Sequence, residues 1–115
     1  MSALTTLDPA TFAALGERNR LRIVEVLRQG PMSVGSIVER LDLRQPQVSK
    51  HLRVLADADI VACEVRHRHR IYRLQPERFD AVAHWIESFE QLWETRLDSL
   101  GTLLQHLDPE GTDAP

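Results

Sequence analysis

A chain of 115 residues with 43% apolar side chains can build one modest hydrophobic core, and its single cysteine excludes an internal disulfide framework or an all-cysteine zinc site. No run approaches the roughly 18 apolar residues of a membrane span, and the first residues lack a basic-then-apolar leader, so the expectation is a cytoplasmic protein with no membrane partner. The net charge of −3 hides a separation: 12 Arg or Lys stand against 7 Asp or Glu between Gly16 and Gln75, and 2 against 10 elsewhere, so a basic block sits between acidic flanks.

Asp8-Pro9 opens a first helix, because Asp caps and Pro suits the first turn. It is expected to reach Leu15, with Phe12 and Leu15 on one face and Gly16 closing it. A second helix spans about Glu17 to Gln29, with Leu21, Val24 and Leu27 as its stripe, Ile23 and Val26 broadening it, and Gly30-Pro31 ending it. Ser33 caps a third, in which Val34, Ile37, Val38 and Leu41 recur at i, i+3, i+4 and i+7.

Asp42-Leu43-Arg44 turns the chain into a fourth helix, about Gln45 to Ala58. At ~100° per residue Val48, Leu52 and Leu55 form its buried stripe. Lys50, Arg53 and Asp57 lie opposite, Gln47 and Ser49 on the shoulders, and His51 nearer the buried edge. Asp59 can take the left-handed backbone that usually calls for Gly. Two short amphipathic helices joined by a tight turn, the second polar and basic outside, have the layout of a helix-turn-helix whose second member reads DNA.

From Ile60 to Leu74 the pattern changes. Val61, Cys63 and Val65 alternate with Ala62, Glu64 and Arg66, and Ile71 to Leu74 follows, as in a two-stranded hairpin. Its tip, Arg66-His67-Arg68-His69-Arg70, has no Gly or Asn to define a turn, which leaves the loop geometry open. Gln75-Pro76 starts a last helix expected to run to about His106, a length of ~45 Å. Phe79, Ile86, Trp93, Leu100 and Leu107 recur every seventh residue, with Val82, Phe89, Leu97 and Leu104 near the half-steps, as in a coiled-coil seam. The expected class is mainly α with a small β-hairpin. Residues 1–107 would form one domain, a helix-turn-helix followed by a hairpin wing and a long pairing helix, and 108–115 a disordered tail.

The stretch LGERNRLRIVEVLRQGPMSVGSIVERLDLRQPQVSKHLRVLADADIVACEVRHRHRIYRL, Leu15 to Leu74, resembles the ArsR/SmtB-type winged helix-turn-helix regulators. Arg18 to Ile23, Val48 to Leu55 and Tyr72-Arg73-Leu74 carry most of the likeness. The resemblance implies a homodimer on an inverted-repeat operator in double-stranded DNA, usually blocking transcription, with the first and last helices making the dimer. Phe12, Leu15, Phe79, Ile86, Phe89, Trp93, Leu97 and Leu100 are the dimerisation candidates. Two positions depart from the family's habit: Arg44 stands where Ser or Thr is frequent, and Asp59 where Gly is. Without a hydroxyl cap, the first N–H groups of the reading helix await either a DNA phosphate, helped by Arg44, or water.

Groove reading needs side chains that pair donors with acceptors, or cations that reach guanine. Gln45, Gln47, Lys50 and Arg53 qualify, Ser49 suits a phosphate, and His51 is either a phosphate contact or half-buried. Arg66, His67, Arg68, His69 and Arg70 would neutralise phosphates as a wing does, the histidines adding charge below neutral pH.

The family's metal sites find no match, so the likeness is to members without a metal motif. Val34-Gly35-Ser36-Ile37 stands where a Cys-x-Cys motif would be, and Asp80 and His84 are followed only by Glu87, Glu94 and the distant His106, as in a surface pair. No metal, cofactor or effector is assigned. Cys63 is either packed or a redox sensor, and the aromatic residues of the last helix are either dimer core or an effector pocket. The competing overall reading is a winged-helix interaction or dimerisation module that does not bind DNA. An enzyme finds no support, because no phosphate loop, nucleophile–base pair or carboxylate pair stands in a recognisable context.

Overall fold

The computed structural model describes residues 7–111, and its elements in chain order are α1 (Pro9–Leu15), α2 (Arg18–Leu27), β1 (Met32–Ser33), α3 (Val34–Leu41), α4 (Gln45–Asp57), β2 (Val61–Arg66), β3 (His69–Leu74), α5 (Pro76–Glu87) and α6 (Glu90–Gly111). The chain divides into two compact units, the first ending at Val82 and the second beginning at Ala83. No helix among the described residues is long and apolar enough to cross a membrane.

Side-chain caps start the first three helices. Asp8 accepts from the Ala10 N–H at 3.0 Å, Glu17 from the Arg20 N–H at 2.9 Å, and Ser33 from the Ser36 N–H at 3.1 Å. Each satisfies a donor that has no partner inside its own helix. Helix α3 ends at Asp42 in left-handed backbone, φ 55°, and Arg22 donates to the Leu41 carbonyl at 3.0 Å, tying that end to α2.

One core serves the first unit, built from Ala14, Ile23, Val24, Leu27, Ile37, Leu41, Val48, Leu52, Leu55, Ile60, Val61 and Tyr72. Val48, Leu52 and Leu55 of α4 are 0% exposed, and burying each contributes about 1.5–3 kcal/mol before chain entropy is charged against it. That stripe fixes which face of α4 is left to solvent. Helix α2 sits differently from the expected stripe. Ile23, Val24 and Leu27 are buried while Leu21 is 48% exposed, because Leu21 lies about 110° from the centre of the arc the other three define. Arg20 occupies the middle of that arc, and its half-buried side chain points where a packing residue would otherwise go.

The sheet has three strands in the order β1-β3-β2. The hairpin is as expected, β2 pairing antiparallel with β3 from Val61↔Leu74 to Arg66↔His69. Strand β1 is an addition. It pairs Met32 with Tyr72 and Ser33 with Ile71, and two residues are too few to show alternation in a sequence. The tip closes in a two-residue turn, His67 at φ 48° and Arg68 at φ 71°. Both are left-handed, as a type I′ hairpin turn demands.

The expected single last helix is two helices. At the break the Ser88 N–H is shared between the His84 and Trp85 carbonyls, the Phe89 N–H goes to Ile86, and the Ser88 hydroxyl donates to the Trp85 carbonyl. A hydroxyl that bonds back to the preceding turn competes with the helix ladder and bends it. In the second unit Trp85 and Phe89 meet edge to face, ring centroids 5.3 Å apart. Helix α6 then carries exposed leucines at 92, 97, 100, 103 and 104, Leu97 reaching 65%. Its helical backbone continues past His106 to Gly111, into the expected tail, and 112–115 lie outside the described residues.

Candidate nucleic-acid interface

The face of α4 opposite the buried stripe is polar. Lys50 and Arg53 are exposed on it, Gln47 and Ser49 on its shoulders, and Gln45 at the start of the helix. Pro46 in the first turn removes one N–H that would need an acceptor. Arg44 is the N-cap in extended backbone and gives no side-chain cap, since a guanidinium has only donors. The Gln47 amide oxygen instead accepts the Arg44 N–H at 3.4 Å, a long bond that holds the Gln47 side chain over the start of the helix.

A groove of about 960 Å³ runs between α4 and the hairpin. Gln45, Ser49 and Arg53 line one side and Arg68, His69 and Arg70 the other, so six of the expected side chains come together. Ser33, Val34 and Gly35 around the start of α3, Ala56 of α4, and Cys63 and Tyr72 from the strands also line it, six residues that the sequence pattern does not place there. Pairing explains the hairpin's share. Cys63 lies opposite Tyr72 and Val65 opposite Arg70, so these four share one face. Arg66 and His67, with His69, line a second recess of about 490 Å³ alongside Pro31, Ser33 and Ile71. The basic tip is therefore divided between two recesses. Arg66 is also partly neutralised by Glu64, 3.1 Å away at an exposed position where such pairs are weak.

Cys63 is exposed, so of its two readings the packed one does not hold: only Val61 of the alternating set reaches the core, and the strand continues beyond it. Tyr72 is buried on the central strand. Burial pushes its phenol above its ordinary range, a hydrogen bond with Cys63 adds to this, and Arg70 opposes it.

His51 is half-buried. Its side chain is 16% exposed, with Nδ1 3.8 Å from a Glu17 carboxylate oxygen and 3.4 Å from an Arg20 guanidinium nitrogen. The Glu17 carboxyl is held below the usual range, first by the hydrogen bond from the Arg20 N–H, against some desolvation, and then by attraction to His51.

The expected dimerisation residues also divide. Leu15 and Phe79 pack against this chain's own core. Phe12, Ile86, Phe89, Leu97 and Leu100 are exposed, and the side chains of Trp93 and Leu107 are not among those described. His84 stands 3.9 Å from Glu87 on the surface. Among the described residues no three His, Cys, Asp or Glu side chains are grouped to hold a metal ion.

Comparison with known proteins agrees with this geometry. A family model described as a helix-turn-helix domain matches residues 15–64. The HTH-type transcriptional regulator Rv2034 of Mycobacterium tuberculosis (strain ATCC 25618 / H37Rv) is 34% identical over 113 residues, 98% of this chain and 99% of the relative. The HTH-type transcriptional repressor SmtB of the same strain is 38% identical over 76 residues, 62% of this chain and 56% of that one. The solved structure of an ArsR-like transcriptional regulator from Rhodococcus sp. RHA1 superposes with a TM-score of 0.67 at 25% identity, covering 83% of this chain and 90% of its own. With a relative matched end to end and the reading helix and wing in place, the chain belongs to the ArsR/SmtB-type family of winged helix-turn-helix transcriptional regulators.

Proposed function

We propose that the protein is a cytoplasmic, homodimeric repressor that binds an inverted-repeat operator in double-stranded DNA. The observation that carries this is the groove flanked by Gln45, Ser49 and Arg53 of α4 and by Arg68, His69 and Arg70 of the hairpin. A basic cleft beside an exposed polar helix face suits a major groove and the phosphates along it. In this reading Gln45, Gln47, Lys50 and Arg53 read base edges and Ser49 binds a phosphate. Arg44 helps a phosphate reach the open first turn of α4, and Arg66, His67, Arg68, His69 and Arg70 hold the backbone. His51 is not among the contacts.

The second copy is argued from exposed apolar positions. Phe12 on α1, Ile86 and Phe89 beside the helix break, and Leu97 and Leu100 on α6 are exposed. Residues 1–107 then work as one functional domain, with two reading helices set about one DNA turn apart. Footprinting on the DNA upstream of its own gene, over a range of salt, tests the reading. The expected result is a protected inverted repeat whose affinity falls steeply with salt. A stable dimer with no protected DNA would favour an interaction module.

A further inference from the structure

We propose that Arg20, Glu17 and His51 form a positioning joint that sets α4 against the end of α1, and that protonation of His51 resets it. The inference rests on the DNA-binding reading above, and it concerns residues that touch no DNA in that reading.

Arg20 sits in the middle of the buried arc of α2, where Leu or Ile would pack with no need for polar partners. It has three. Its Nε donates to the Ala14 carbonyl at 2.6 Å, its Nη2 reaches the Ala13 carbonyl at 3.5 Å, and its Nη1 lies 3.4 Å from His51 Nδ1. A guanidinium is a rigid planar fork, so a displacement at one end is passed to the other. One side chain thus ties the last carbonyls of α1 to the flank of the reading helix. Glu17 completes the joint: the oxygen that caps α2 also faces His51 Nδ1 at 3.8 Å.

Two sets of partners are therefore already in place around one ring nitrogen. Neutral His51 can accept from Arg20 at Nδ1. Once it takes a proton from solvent, both ring nitrogens are donors, so Nδ1 repels Arg20 and pairs with Glu17. The charged groups facing it are Glu17 and Arg20 from α2, α1 contributes the Ala13 and Ala14 carbonyls through Arg20, and Lys50 is its neighbour on α4. Releasing Arg20 loosens α4 from α1, a helix of the proposed dimer. The distance between two reading helices is what such a change would alter.

The test uses the full chain, the operator duplex found by footprinting, and the same duplex with one base pair inserted between the half-sites. The quantity read is the ratio of the two affinities. For the wild type this ratio should change by about fivefold or more between pH 8 and pH 6. Protonation of the wing histidines acts on both duplexes alike and cancels. His51→Asn keeps an acceptor near the Nδ1 position but gains no proton, so its ratio should stay at the wild-type pH 8 value at both pH values. Arg20→Lys keeps the charge and loses the fork, and should move the pH 8 ratio towards one while thermal unfolding stays cooperative. A wild-type ratio that does not change with pH, a His51→Asn ratio that follows the wild type, or an Arg20→Lys variant that weakens both duplexes by one factor would each overturn the proposal. Failure of the wild type to bind either duplex would remove the DNA-binding reading first, and the joint with it.

Discussion

The carboxylate of Asp59 lies 3.1 Å from the guanidinium of Arg78, so the residue that turns the chain out of α4 also holds the first turn of α5. Asp59 is in left-handed backbone, φ 60°, beneath a closing bond from the Ile60 N–H to the Leu55 carbonyl. Gly would relieve the backbone and forfeit the ion pair. Left-handed backbone costs a residue with a Cβ roughly 1 kcal/mol, and a solvent-reached pair gives about 0.2–1 kcal/mol, so the two effects nearly offset. Asp59→Gly should therefore leave stability within about 1 kcal/mol at low salt and gain relative to wild type at high salt, where the pair is screened. Asp59→Ala loses the pair and keeps the strain. Urea unfolding at two salt concentrations checks this, and equal losses for Gly and Ala would count against it.

At the hairpin tip two residues with side chains occupy φ 48° and φ 71°, positions where Asn-Gly is the favoured pair. His67→Asn with Arg68→Gly should raise the unfolding free energy by about 1 kcal/mol or more. The same change removes a cation from the groove side, so DNA affinity should fall and the log–log salt slope should shrink by about 1. Thermal unfolding and a salt titration of binding on the same variant separate the two effects. A stabilised variant with an unchanged salt slope would take Arg68 off the phosphates.

How much of this was legible follows physical range. Asp8 and Ser33 as caps, and the Val48, Leu52 and Leu55 stripe, are local features, and periodicity reveals them. Asp59 as a left-handed stop is local too. The alternation of Val61, Cys63 and Val65 identifies residues that share a face, but it says nothing of how far the core reaches along the strand, so the exposure of Cys63 was not readable. Strand β1 is two residues long and exists only through β3. The break at Ser88 carries no Gly or Pro, and the apolar repeat runs straight across it. Arg20 reads in the sequence as one more charge on α2, because its place in the arc matters only with the carbonyls of α1 and the ring of His51 beside it.

Glu17 gives the molecule an acid-sensitive end. Its carboxyl is held below the usual range because the folded chain donates the Arg20 N–H to it and places His51 nearby. A depressed folded value means its contribution is present above the unfolded carboxylate pKa and lost as pH falls through the folded value. Melting temperatures taken downward from neutral pH should fall in that window, and Glu17→Gln should start lower at neutral pH and fall less. A parallel acid limb in the variant would place the acid sensitivity elsewhere.

Tyr72 works in the opposite sense. Burial raises its phenol above the ordinary range, and the bond with Cys63 adds to it. A raised folded value means the contribution is complete below the unfolded pKa of about 10 and is lost as pH rises through the folded value. Tyr72→Phe keeps the packing and removes the hydroxyl, so it should cost about 0.5–1.5 kcal/mol at neutral pH and flatten the alkaline loss. Unfolding followed from neutral pH to beyond the tyrosine range decides it.

Arg44 separates stability from binding most cleanly. It occupies the N-cap of α4 with no acceptor of its own, while the Gln47 side chain bonds back to its N–H. Arg44→Ser supplies the missing acceptor, and a hydroxyl cap is typically worth about 0.5–2 kcal/mol, so the variant should be more stable. If the open N–H groups and the guanidinium together receive a phosphate, the same change should weaken DNA binding and reduce its salt slope by about 1. A protein that becomes more stable and binds less well is the signature of a helix start left unfinished for its ligand. Gain in stability with unchanged affinity and unchanged slope would instead mean that water satisfies those groups, and that the arginine at this position contributes nothing to the complex.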